Sequence, residues 1–291
     1  SGVDEIEATR FISAKWVPQL GDAAEVLRGF AAWARDRWAE SRMTPLPALS
    51  VLVPNDRGMD DVMASIQSGI AIEKIAVFTA ASDTFTRKNI NASIADSIDR
   101  FRPVVKRAKQ HSAGPLQIRG YISCAIACPF EGPIPPAKVA DVAQMLAELG
   151  VDEIDVADTI GAGTPENVQP MLKAVMDRLG PAWHDGHKIT LHLHDTFGRA
   201  DECVKAALQS GIRSFDGSVA GLGGCPYAST PTRRAPGNID TITLVHTIHN
   251  AGFRTGVNLD TLQTAATFAR KIVAASASRA ARAPAKNGAR S

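Results

Sequence analysis

One feature limits this chain more than any other: strand-like and helix-like segments alternate along nearly its whole length. Short runs rich in Val and Ile occupy residues 3–8, 48–53, 74–78, 116–122, 153–156, 189–194 and 214–219. Each is followed by a stretch with apolar residues at helical spacing, at 22–38, 59–67, 93–109, 137–149, 165–179, 200–208 and 239–250. Seven strand–helix units of this kind specify a parallel sheet covered by helices, which leaves a doubly wound sheet or a closed barrel. The strand ends separate the two. Glu7-Ala8-Thr9, Pro54-Asn55, Ser123-Cys124, Asp158-Thr159 and His192-Leu193-His194 place polar or reactive residues at the end of one strand after another, and a barrel gathers such ends on one rim.

The expected architecture is therefore a TIM-type (β/α) barrel over residues 1–258. A packing helix at 259–275 and a disordered Ala-, Arg- and Ser-rich tail at 276–291 follow it. A barrel of this type closes with about eight strands, so seven units are one short. Because the first strand begins at residue 3, the absent strand–helix unit is expected to precede it. An open seven-stranded sheet is the alternative.

Composition excludes several classes of function. Lys and Arg total 32 against 30 for Asp and Glu, a net charge of +2, which offers little attraction for nucleic acid or an anionic membrane. No apolar run approaches the roughly 20 residues of a membrane helix. Cys124, Cys128, Cys203 and Cys225 are scattered through a long chain, as expected of reduced thiols in a cytoplasmic setting. The Cys124 and Cys128 spacing fits neither a redox pair nor a zinc knuckle, and both are read as packing residues.

Five local patterns carry chemistry. In Leu191-His192-Leu193-His194-Asp195, strand alternation points His192 and His194 to the same side. Two imidazoles there are half of a divalent-metal site, or two partly exposed histidines at a strand end. Gly221-Leu222-Gly223-Gly224-Cys225-Pro226-Tyr227-Ala228 follows the last strand and sets Cys225 in a glycine loop, either as a proton-transferring thiol or as a small apolar residue in a turn. Asn238 opens the next helix as an N-cap, a metal ligand, or both. Asp158 lies just past a strand end, where it orients a ligand or caps the glycine-rich turn after it. Glu7 ends the first strand, but Glu5 shares its parity and leaves the inward direction open.

The GLGGCPYA run resembles the active-site loop of hydroxymethylglutaryl-CoA lyases. Residues 7–11, 15–19, 87–91, 119–124, 158–161 and 256–259 agree with that family as well, so the likeness covers almost everything but the tail. The resemblance implies a barrel that uses Mg²⁺ or Mn²⁺ to cleave hydroxymethylglutaryl-CoA into acetyl-CoA and acetoacetate, a step of leucine degradation. By matching motifs, His192, His194 and Asn238 would hold the metal, and Cys225 would handle the proton on the acetyl-CoA carbon. His192 would serve also as a relay for the hydroxyl proton, and Glu7 and Asp158 would be supporting rim carboxylates. The expected partners are an acyl-CoA substrate and, for assembly, a second copy in a homodimer.

Three departures stand against that pattern. The family carries an Arg-Asp pair on its first strand, the Asp completing the metal shell and the Arg steadying the enolate oxygen, and no residue here corresponds; Asn55-Asp56-Arg57-Gly58 follows a different strand. Residues 229–236, with Arg233 and Arg234, lengthen the path from Cys225 to Asn238. Ile242 stands where relatives commonly have glutamate. The alternatives are a sister enzyme for another hydroxyacyl-CoA, a reaction run in the synthetic direction as in isopropylmalate and homocitrate synthases, or a barrel that binds a ligand without turnover.

Overall fold

The computed structural model describes residues 1–11, 21–40, 45–223 and 237–282. Seven parallel strands form one sheet: β1 (Glu5–Arg10), β2 (Ala48–Leu52), β3 (Lys74–Ala80), β4 (Gln117–Ser123), β7 (Glu153–Asp158), β8 (Ile189–Leu193) and β9 (Ser214–Asp216). Two-residue strands β5 (Ala127–Cys128) and β6 (Gly132–Pro133) make a separate antiparallel hairpin. The order of the sheet is β1-β2-β3-β4-β7-β8-β9, so each strand lies beside its predecessor in the chain. A doubly wound sheet reverses direction at a switch point; this one never does. It is the curled wall of a TIM-type barrel, open between β9 and β1 among the described residues.

The helices follow the expected alternation: α1 (Ala23–Glu40), α2 (Asp56–Gln67), α4 (Ile94–Lys109), α5 (Pro136–Leu149), α6 (Pro165–Leu179), α7 (Ala200–Gln209) and α8 (Thr241–Asn250). Their starts are written in the sequence. Asn55 caps α2 through Gly58 N–H, and Ser93 and Asp96 form a reciprocal capping box on α4. An additional short helix, α3 (Asp83–Ile90), is capped by Ser82.

The two-residue period divides the wall into an apolar face and a polar one. Val51, Ile75, Ile118, Ile154 and Ile189 point toward the helices and are essentially inaccessible to solvent, while Lys74, Arg119, Glu153, Thr190 and Ser214 occupy the other parity. On the helix side, Leu146 of α5 sits against Gly120 of β4, where an added Cβ would come within 3.0 Å of Leu146 Cδ1. The missing side chain lets α5 press directly onto the strand.

Two expectations need correction. The last helix, α9 (Leu259–Arg282), runs past residue 275 and takes in the first seven residues of the expected disordered tail. Ala and Arg, which dominate that stretch, are among the strongest helix formers. Strand β9 stops at Asp216 rather than reaching 219, because Ala220 turns the backbone to φ 60° in a tight turn at Val219–Gly221. Residues 283–291 and residues 15–19 of the family-like stretch lie outside the described residues.

Leu146 is fully buried, so Leu146→Ala is expected to lower the unfolding free energy by about 2–5 kcal/mol. The midpoint of urea unfolding checks this.

Candidate metal centre and catalytic rim

Strand register stacks the inward side chains in rows. Ala157 of β7, His192 of β8 and Asp216 of β9 are ladder partners, and Asp155, Thr190 and Ser214 form the row below. A lower layer of charges lies beneath them. Lys74 Nζ donates to Glu5 Oε2 at 2.6 Å and Glu153 Oε2 at 2.7 Å. Arg119 Nη2 reaches Glu5 at 3.0 Å and Glu153 at 2.7 Å. Despite its burial, Glu153 is held below the usual carboxylate range by Arg119 and Lys74.

The cleft inside the wall has a volume of about 2020 Å³, and Glu7, Tyr121, His192, His194, Asp216 and Asn238 are among its lining residues. Glu7 therefore faces inward, as does Glu5. Tyr121 O–H donates to Glu7 Oε2 at 2.9 Å, and burial raises the Glu7 pKa against the pull of Arg10.

The three expected metal ligands come together. The His192 and His194 rings lie 5.3 Å apart between centroids. Just past the end of β8, His194 bridges through its backbone to Asn238, whose Nδ2 donates to Leu222 O at 3.0 Å. The Asn238 side chain also hydrogen-bonds His192. His194 Nδ1 is buried without a hydrogen-bond partner, and burial, with His192 nearby, lowers its pKa to about 4. A neutral imidazole with an unused buried nitrogen, beside a second imidazole and an amide, fits a divalent cation. A second donor set lies deeper: Asp155, His192 and Asp216 offer ligand atoms within 4.8 Å of one another.

The deeper pair has opposite electrostatics. Burial and the neighbouring Asp216 push Asp155 well above its ordinary range. No donor reaches either Asp155 oxygen, so it hydrogen-bonds Asp216 only by carrying its own proton. Asp216 is buried too, yet His192 and Arg119 hold its pKa down.

Asp158 is placed differently from the other rim residues. Strand alternation turns it away from the His192 side, and it accepts from Ala162 N–H at 3.0 Å and Gly163 N–H at 2.6 Å. A Cβ on Gly163 would stand 2.8 Å from Asp158 Oδ2. Burial raises the Asp158 pKa to about 6 against these backbone donors, and its contacts are those of a cap on the loop. Cys225 lies outside the described residues. Cys124, Cys128 and Cys203 are buried.

Sequence reading passed over Asp216, Arg119, Tyr121 and Asp155. Their signal was present as alternating polar residues, Arg119 and Tyr121 in β4, Glu153 and Asp155 in β7, and Ser214 and Asp216 in β9.

A parallel barrel wall with two imidazoles and an amide meeting at the carboxyl end of β8 has the donor set that barrel enzymes use for a divalent ion. The HMGL-like family model matches residues 1–269. The mitochondrial hydroxymethylglutaryl-CoA lyase of Macaca fascicularis is 41% identical over 268 residues, covering 92% of this chain and 74% of that protein. The HMG-CoA lyase structure from Brucella melitensis is 42% identical with a TM-score of 0.79, covering 93% of this chain and 86% of that one. An HMG-CoA lyase from Acenitobacter baumannii, solved with coenzyme A and 3-methylmalate, is 30% identical with a TM-score of 0.73, covering 91% and 77%. The chain belongs to the HMGL-like family, and it is a lyase.

The depressed His194 pKa gives a pH dependence with a defined sign. As pH falls below 6.5 the unfolded chain takes up the proton first, so this residue's contribution to stability is complete above about 6.5 and is lost as pH approaches 4. Urea unfolding between pH 7.5 and 4.5 is expected to show a shallower loss of stability for His194→Gln than for the wild type.

Proposed function

We propose that the protein cleaves hydroxymethylglutaryl-CoA to acetyl-CoA and acetoacetate, with Mg²⁺ or Mn²⁺ held by His192, His194 and Asn238. The observation that carries this reading is the meeting of those three side chains on the wall of the cleft, with the buried His194 nitrogen left without a partner. Support comes from the GLGGCPYA run and from the relatives named hydroxymethylglutaryl-CoA lyase. The relative solved with coenzyme A supports an acyl-CoA substrate.

The reaction breaks the bond between the carbon next to the thioester and the carbon bearing the tertiary hydroxyl. The hydroxyl proton must leave as the ketone forms, and the carbon of the thioester enolate must gain a proton. When bound, the ion supplies a Lewis acid that polarises the hydroxyl and steadies negative oxygen.

The protein's groups divide the remaining work. His192 has its Nδ1 against Asp216 Oδ1, so it has a single lone pair, at Nε2, and cannot both hold the ion and take a proton. Glu7 faces the same cleft with a raised pKa and a Tyr121 hydrogen bond, which suits it to accept the hydroxyl proton. Cys225, on the glycine loop that follows β9 in sequence, delivers the proton to the enolate carbon. Asp158 shapes the loop after β7 by binding its N–H groups.

No helix among the described residues is long and apolar enough to cross a membrane, and the buried free thiols of Cys128 and Cys203 suit the reducing cytoplasm we assign to the protein. A homodimer is the assembly we assign.

The test is cleavage of hydroxymethylglutaryl-CoA with Mn²⁺ present, using protein expressed from its complete reading frame. Cleavage that falls by about 10²–10⁴ in kcat for Cys225→Ala, with KM little changed, is expected. Protein that binds Mn²⁺ but leaves this thioester intact overturns the substrate assignment and points to another hydroxyacyl-CoA.

A further inference from the structure

Beneath the rim, His192 is gripped from one side. Its Nδ1 lies 2.7 Å from Asp216 Oδ1, and the two residues are ladder partners on adjacent strands, so backbone register fixes the contact. The other Asp216 oxygen faces Arg119 Nη1 at 4.0 Å. Asp155 lies against the same carboxyl with no N–H or O–H donor on either oxygen. Asp216 is thus hydrogen-bonded to His192 and faces the Arg119 guanidinium with its other oxygen. An ionised carboxylate only accepts hydrogen bonds, so the hydrogen in the His192 contact belongs to Nδ1. The lone pair is then at Nε2, the nitrogen left for Asn238 and the rim.

We propose that Asp216 is a positioning residue: it fixes the Nδ1–H tautomer and ring orientation of His192 so that Nε2 binds the ion, and it is not itself a metal ligand. This rests on the assignment of His192, His194 and Asn238 as the ligand set. The competing arrangement, in which Asp155, Asp216 and His192 Nδ1 hold the ion, requires the 2.7 Å hydrogen bond to be given up. It also leaves the buried His194 Nδ1 without a partner. The Asp216 arrangement keeps that bond and adds an outer hydrogen bond of the kind that holds metal-binding histidines in register.

The test reads the metal site and not turnover, so it stands apart from the substrate assay. In protein with ¹⁵N-labelled histidine, the wild type without metal is expected to show the Nδ1–H tautomer at His192, and Mg²⁺ is expected to move the Nε2 resonance. In Asp216→Asn, the amide can donate to Nδ1 and drive the hydrogen to Nε2, where it blocks coordination. Mn²⁺ affinity, measured by titration calorimetry, is expected to fall about 10- to 100-fold, and Asp216→Glu, which keeps an acceptor, is expected to recover part of that loss. An Nε2–H tautomer in the wild type, an Mg²⁺ response at Nδ1, or an Asp216→Asn protein that binds Mn²⁺ as tightly as the wild type would each overturn the proposal. The wild-type spectrum decides the matter even if the variants fold poorly. If hydroxymethylglutaryl-CoA is not cleaved while the spectrum is as expected, the substrate assignment falls and the positioning role stands.

Discussion

The wall depends on a layer of paired charge inside it. Lys74 and Arg119 stand among Glu5 and Glu153 with contacts of 2.6–3.0 Å, joining β1, β3, β4 and β7 across the interior. Two cations meet two carboxylates, so the layer is neutral as a set, and its side chains are only 10–17% exposed. Removing one partner from such a buried pair typically costs about 3–5 kcal/mol, because the other is left uncompensated. The same layer enforces register. A slip of one residue in any of these strands would turn its charge onto the helix-packed face and bring an isoleucine inward.

Above that layer positive charge becomes scarce, and the site takes its character from the shortage. Arg119 reaches Asp216 only at 4.0 Å. Tyr121 and Asp155 are shifted upward, first by burial and then by negative neighbours, and burial raises Glu7 against the pull of Arg10. Raised acids are groups that burial holds toward neutrality where nearby cations do not fully offset it. A divalent ion brought to the adjacent imidazoles and amide would supply what the carboxylates lack. The donor set and the field around it thus suit the same guest.

Much of this was legible in the sequence for a physical reason: both periods are strong here. Apolar residues at helical spacing gave every major helix of the wall to within a few residues, and the Val- and Ile-rich runs gave every long strand. The hairpin at 127–133 and helix α3 were missed because each is shorter than the window in which a period shows. On the site, the pairing of His192 with His194 follows from alternation alone, and Asn238 was open between an N-cap and a metal ligand until the resemblance assigned it to the metal. Asp216 could not be paired with His192 from sequence, because that contact depends on the register between β8 and β9, which no local pattern states. Asp158 was ambiguous for a related reason. A carboxylate at a strand end faces the cleft or the loop according to one residue of phase, and here its partners are the amides of Ala162 and Gly163.

That dependence on register also explains why two histidines two residues apart are so unlike. His192 lies within β8, level with the last residue of β9, so a carboxylate from the neighbouring strand meets its Nδ1 and raises its pKa despite burial. His194 lies one step beyond, where β9 has already ended at Asp216 and the neighbour is Asn238. With no acid at that level, burial and the first imidazole bring it down to about 4. The short β9, which the sequence had suggested should run three residues further, therefore gives each imidazole its own role. The inner one is anchored and oriented by a carboxylate, and the outer one is kept neutral with a nitrogen to spare. A longer β9 would have brought another strand residue level with His194 and left less room for Asn238 to close the set.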